Sequence, residues 1–83
     1  MEPVPEMEEA FILIRTKPGH IFKVAREAKK HEGVKYGYAV AGLYDVALFI
    51  STECLEDVLE KIHSIPGIER IETLVALEAE YSK

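Results

Sequence analysis

Apolar residues recur along this chain with two periods, one suited to strands and one to helices. Residues 10–15, Ala-Phe-Ile-Leu-Ile-Arg, form a short unbroken run, the pattern of a central strand covered on both faces. Thr16-Lys17-Pro18-Gly19 interrupts it, and a helix is expected over about 20–31. There Ile21, Val24, Ala25 and Ala28 fall at i, i+3, i+4, i+7, one face of an α-helix. Lys23, Arg26, Lys29 and Lys30 lie mostly on the other side, Phe22 sits off the stripe and hints at a second contact, and Gly33 is the stop. A second strand is expected over 34–41, with Val34, Tyr36, Tyr38 and Val40 on one face and Lys35, Gly37, Ala39 and Ala41 on the other. Gly42, followed closely by Asp45, reads as a hairpin turn: glycine accepts positive φ and aspartate bonds its own backbone. A nearly all-apolar third strand spans 45–52. Ser51 or Thr52 is the expected cap of the next helix, with Glu53, Glu56 and Asp57 suited to its positive N-terminus. Leu55, Val58, Leu59 and Ile62 repeat the helical series. Ile65-Pro66-Gly67 ends it, and 68–77 form the last strand. Residues 1–9 read as a flexible leader, 10–77 as one domain and 78–83 as a polar tail.

The two halves superpose in sequence. Helix positions 21, 24, 25 and 28 map onto 55, 58, 59 and 62 at an offset of 34, and His31-Glu32-Gly33 maps onto Ile65-Pro66-Gly67 at the same offset. Two β-α-β units joined by a hairpin give β-α-β-β-α-β, a ferredoxin-like α+β fold of the dimeric α+β barrel type. Right-handed crossovers put both helices on one face of a four-stranded antiparallel sheet. Yet the strands are apolar on both faces: Phe11 and Leu13 oppose Ile12 and Ile14, Ala47 and Phe49 oppose Leu48 and Ile50, and Leu74 opposes Val75 and Leu77. A bare apolar sheet face marks an association surface, so a homodimer with stacked sheets is expected.

Composition narrows the function classes. Eighty-three residues with a net charge of −5 make one small acidic domain, which disfavours direct DNA or RNA binding. Cys54 is the single cysteine, so an intramolecular disulfide is excluded and a reducing cytoplasm is the expected compartment. No apolar stretch approaches the length of a membrane span.

Catalytic and metal signatures are poor, so no catalytic residue, metal or cofactor is assigned. His20, His31 and His63 lack ligand spacing to one another or to Cys54. Lys17-Pro18-Gly19 reads as a strand–helix turn, and Phe11, Tyr36, Tyr38 and Phe49 read as dimer packing in preference to an RNA-stacking surface. The loop Gly42-Leu43-Tyr44-Asp45 admits two readings. It is a simple hairpin turn, with Tyr44 as edge cover, or a binding loop whose amides near Gly42 hold a carboxylate while Asp45 attracts an ammonium.

Gly33-Val34, Gly42-Leu43-Tyr44-Asp45, Ser64-Ile65-Pro66-Gly67-Ile68-Glu69-Arg70 and Thr73, in this order and spacing, resemble the effector-binding (RAM) domain of the Lrp/AsnC transcriptional regulators. The resemblance implies dimers built through the open sheet face and assembled into rings, commonly octamers. It also implies amino-acid effectors bound between dimers, with Gly42, Leu43, Tyr44 and Asp45 as one wall and Thr73 contributed by a neighbour. Only nine polar residues precede the first strand, so the chain resembles the stand-alone form without the helix-turn-helix domain, with full-length relatives as implied partners. It departs from the family at Leu43, often acidic or polar, and at Ile71, where many members carry threonine. The leading expectation is a non-enzymatic sensor of an amino acid or related metabolite. The rivals are a small dimeric α+β barrel enzyme and an assembly module without ligand.

Overall fold

Six elements follow in the order β1 (Glu8–Thr16), α1 (Ile21–Lys29), β2 (Val34–Ala39), β3 (Val46–Thr52), α2 (Leu55–His63) and β4 (Ile68–Val75) in a computed structural model that describes residues 6–77. The first five leader residues and the whole 78–83 tail lie outside the described residues. The strands form one sheet in the order β2-β3-β1-β4, every neighbouring pair antiparallel. This is the ferredoxin-like fold, with β1 and β3 central.

Side-chain parity decides where the core lies. Ala10, Ile12 and Ile14 of β1 and Val46, Leu48 and Ile50 of β3 are all buried, and the register pairs them across the strands. They meet Val24, Ala25 and Ala28 of α1 and Leu55, Val58 and Ile62 of α2 in one cluster. Burying an isoleucine or leucine fully is worth about 1.5–3 kcal/mol, so this layer carries most of the stability. The alternate residues face the other way and have no helix over them among the described residues: Phe11, Tyr36, Tyr38 and Leu74 are about half or more exposed. The rings of Phe11 and Phe49 lie 5.2 Å apart and those of Tyr36 and Phe49 6.3 Å apart, an aromatic strip across that face.

The internal duplication is structural as well as sequential. Both helices are nine residues long and are offset by 34 in numbering. Both end with an αR residue, Lys30 and Ser64. The turns that follow contain Gly33 at φ +95° and Gly67 at φ +93°, a region open to glycine at little cost. Space is also short there. A Cβ on Gly33 would lie 2.9 Å from Val58 Cγ2, and one on Gly67 would lie 2.7 Å from His20 Nδ1.

Several expectations are corrected. β2 shifts register between Val34 and Tyr36, so a bulge at Lys35 puts Val34 against the core and Tyr36 on the open face. They share no face because a bulge breaks the period of two. β2 ends at Ala39, α1 at Lys29 and β4 at Val75, each two residues short of its expected end. β1 starts two residues early, at Glu8. Neither Ser51 nor Thr52 is the N-cap of α2; Cys54 holds that position without a side-chain cap bond. Thr52 Oγ1 accepts the Cys54 N–H at 3.3 Å, and Glu8 Oε1 of β1 accepts the Leu55 N–H at 3.2 Å, an acid from another element serving the helix dipole. Phe22 is 72% exposed and stands outside the core cluster of the described residues.

Gly33→Ala should lower stability by more than about 1 kcal/mol, because both φ and the Val58 contact oppose a Cβ. Urea denaturation followed by circular dichroism checks this, and an unchanged midpoint would contradict it.

Candidate functional site

Between β2 and β3 the chain runs from Val40 to Asp45, closed by the Val40 N–H donating to the Asp45 carbonyl at 2.8 Å. Gly42 has φ +140° and open space around it, which lets the loop turn back. Most of the loop's remaining bonds reach β1. The Asp45 N–H donates to the Ile14 carbonyl at 2.8 Å. Asp45 Oδ2 accepts from the Thr16 N–H at 2.8 Å and from the Thr16 hydroxyl at 3.2 Å. The Arg15 guanidinium donates from Nε and Nη2 to the Leu43 carbonyl at 3.1 and 2.6 Å. The Asp45 side chain therefore bonds the end of β1 and not its own turn as expected. Thr16 is the buried polar residue of the described core, and it needs this acceptor because an unpaired buried donor costs about 1–3 kcal/mol.

Tyr44 crosses the end of β1 altogether and donates its hydroxyl to Glu72 Oε2 on β4. That bond raises the phenol pKa above its ordinary value, with weaker contributions from desolvation and the Glu72 charge and opposing pulls from Arg70 and Arg15. Tyr44 is thus a strap across the sheet end and not edge cover.

Tyr44 also lines a cleft of about 430 Å³, together with Arg15, Leu43, Glu69 and Arg70. The two arginines are register partners on β1 and β4. β4 then shifts register, with Thr16 opposite Ile68, so Glu69 is the extra residue of a bulge, a device that re-aims side chains beside functional sites. Arg15, Arg70 and Glu72 belong to the same face as Phe11 and Leu74, continuing its alternation into a charged end.

Of the residues singled out in the sequence, Leu43 and Tyr44 line the cleft, Gly42 shapes the loop and Asp45 anchors it. Thr73 is not brought to them. It pairs with Ile12, hence faces the helix side, and is half-buried. Ile71 pairs with Ile14 and packs against the core. Arg15, Glu69, Arg70 and Glu72 were missed. The signal available was parity: 11, 13, 15 and 74, 72, 70 mark one face whose ends are charged. His20, His31 and His63 stay apart, none of them buried. Among the described residues no cluster of three or more His, Cys, Asp or Glu could hold a metal, and no helix is long and apolar enough to cross a membrane.

Residues 9–83 match the Lrp/AsnC ligand binding domain. The chain belongs to that family. The HTH-type transcriptional regulator FL11 of Pyrococcus abyssi is 38% identical to it over 72 residues, which cover 83% of this chain and 48% of FL11. The chain therefore spans about half the length of that curated relative. TTHA0845 from Thermus thermophilus superposes with a TM-score of 0.82 at 29% identity, over 90% of this chain and 99% of that one. The Neisseria meningitidis regulator NMB0573, solved as an L-Met complex, has a TM-score of 0.75 at 18% identity over 90% of this chain and 53% of its own, a likeness of fold alone. The Lrp/AsnC ligand-binding domain is a regulatory module of transcriptional regulators, so the cleft of this chain sits in a domain type with a ligand-binding role.

Two outcomes follow from the strapped loop. Asp45→Ala, which strips Thr16 of its acceptor, should destabilise the fold by about 1–3 kcal/mol in urea denaturation. The raised pKa of Tyr44 means its bond to Glu72 is intact below the ordinary tyrosine range and is lost as pH rises through the raised value. Tyrosinate absorbance should therefore show Tyr44 ionising late, and Glu72→Gln should move that ionisation to lower pH.

Proposed function

We propose that this chain is a non-enzymatic sensing and assembly module of transcription regulation, working as a homodimer that builds larger rings and binds an amino acid or a related metabolite at the strapped cleft. The observation that carries the reading is one sheet face with an apolar centre and a polar, bounded end. Phe11, Phe49, Tyr36, Tyr38 and Leu74 fit a surface that a second copy covers. The cleft at the charged end fits a small polar molecule at the seam of the assembly, with Leu43 and Tyr44 as one wall, Gly42 and Asp45 holding that wall in place, and Thr73 of a neighbouring subunit as a further contact. Family membership supports a ligand, and the L-Met complex of NMB0573 supports the amino-acid class.

Coupling follows from linkage: a ligand shifts the assembly only by its difference in affinity between assembly states. Full-length Lrp/AsnC regulators are the proposed partners and supply the DNA contact, since the acidic chain suits none of its own. The composition suits the cytoplasm.

Sizing in solution with and without amino acids tests the reading. Wild-type protein should run as a dimer or larger and change its distribution with at least one amino acid. Phe11→Glu, which puts a charge in the proposed interface, should weaken dimerisation by at least about a hundredfold, equivalent to about 3 kcal/mol. A wild-type monomer at micromolar concentration would overturn the proposal.

A further inference from the structure

The cleft has an unbalanced set of charges. Arg15 and Arg70 stand directly opposite on neighbouring strands, where side chains start about 5 Å apart and like charges destabilise the sheet. The chain has 15 acidic residues against 10 basic ones, so neutralising carboxylates are not scarce. Yet among the described residues the ion pair formed is the exposed Lys30–Glu27 contact, and neither cleft arginine has a carboxylate in ion-pair contact. Arg15 is held by two donors on the Leu43 carbonyl, which leaves its Nη1 hydrogens and one Nη2 hydrogen uncommitted. Glu69, thrown out by the β4 bulge, is the acid lining the cleft with them. Glu72, whose carboxylate keeps its charge while it accepts from the Tyr44 hydroxyl, is not among the residues that line the cleft. The lining thus offers two guanidinium groups and one carboxylate around a volume of about 430 Å³, within the range of about 300–1,000 Å³ usual for small-molecule sites.

The complement of two cations and one anion is a molecule with two carboxylates and one ammonium. We propose that the cleft takes an acidic α-amino acid, its two carboxylates on Arg15 and Arg70 and its ammonium on Glu69. The inference rests on the cleft being the ligand site and adds the ligand's charge class. Guanidinium–carboxylate bonds are the strong, directional ones, and Arg15 is pre-oriented by the loop, so little ordering is required when the ligand arrives. A neutral amino acid leaves one guanidinium unpaired, and a plain dicarboxylate leaves Glu69 unpaired.

Calorimetric titration of the full chain with L-glutamate, L-aspartate, L-glutamine, L-asparagine, L-leucine and glutarate tests this. L-Glutamate or L-aspartate should bind at least about tenfold tighter than its own amide, the worth of one charge-assisted contact. Arg70→Gln, at a residue whose side chain makes no hydrogen bond among the described residues, should erase that preference. Glu69→Gln should weaken L-glutamate while leaving glutarate unchanged or tighter. If the amides or L-leucine bind as well as the acids, or if Arg70→Gln leaves the preference intact, the charge-class proposal is wrong while the cleft still counts as a ligand site. If none of the six binds and the full set of amino acids leaves the assembly unchanged, the sensing reading itself fails.

Discussion

Two nine-residue helices are enough to cover one face of a four-stranded sheet and no more, and this shortage of cover governs the molecule. On the covered side the strands present aliphatic residues, with Ile12, Ile14, Leu48 and Ile50 inaccessible to water. On the other side the strands present Phe11, Phe49, Tyr36, Tyr38 and Leu74 with nothing above them among the described residues. A small domain buries a low fraction of its surface, so leaving this much apolar area bare is costly unless a second surface meets it. The rings of Phe11, Phe49 and Tyr36 lie within 6.3 Å of their neighbours, so that face has its own local packing.

Polarity on the open face changes along the strands and not across them. Following β1 from Phe11 through Leu13 to Arg15, or β4 from Leu74 through Glu72 to Arg70, the same alternation passes from apolar to charged. The charged end coincides with the β2–β3 loop, which is bonded to Ile14, Arg15 and Thr16 and strapped to Glu72 by Tyr44. A hairpin tip is ordinarily among the most mobile parts of a fold. Here it is tied to β1 and β4, so a cleft built on it has a defined shape.

The duplicated halves differ where the function is proposed. Gly33 and Gly67 take nearly the same φ, but one turn packs on Val58 and the other on His20. The first-half connection between strand and helix is longer, whereas the bulges of β2 at Lys35 and of β4 at Glu69 fall at equivalent positions of the repeat. Symmetry thus set the scaffold and the bulge, and the side chains there, Glu69 and Arg70 where the first half has Lys35 and Tyr36, set the cleft.

Element order, the two helical stripes, the glycine stops and the duplication were legible in the sequence, because each depends on residues near one another along the chain and on periods of two or 3.6. The bare apolar face was legible too, since counting two helices against two faces needs no coordinates. Element ends and the β2 face assignment were not, because a bulge inserts a residue without changing composition. Nor was the role of Asp45, whose partner Thr16 is 29 residues away, nor the capping of α2 by Glu8, 47 residues away. The meeting of Arg15 with Arg70 and Glu69 depends on antiparallel register between the first and last strands, a long-range pairing that sequence period alone does not specify. Local pattern therefore determined which elements form and which faces are apolar. Only the tertiary register decided which charges share a cleft.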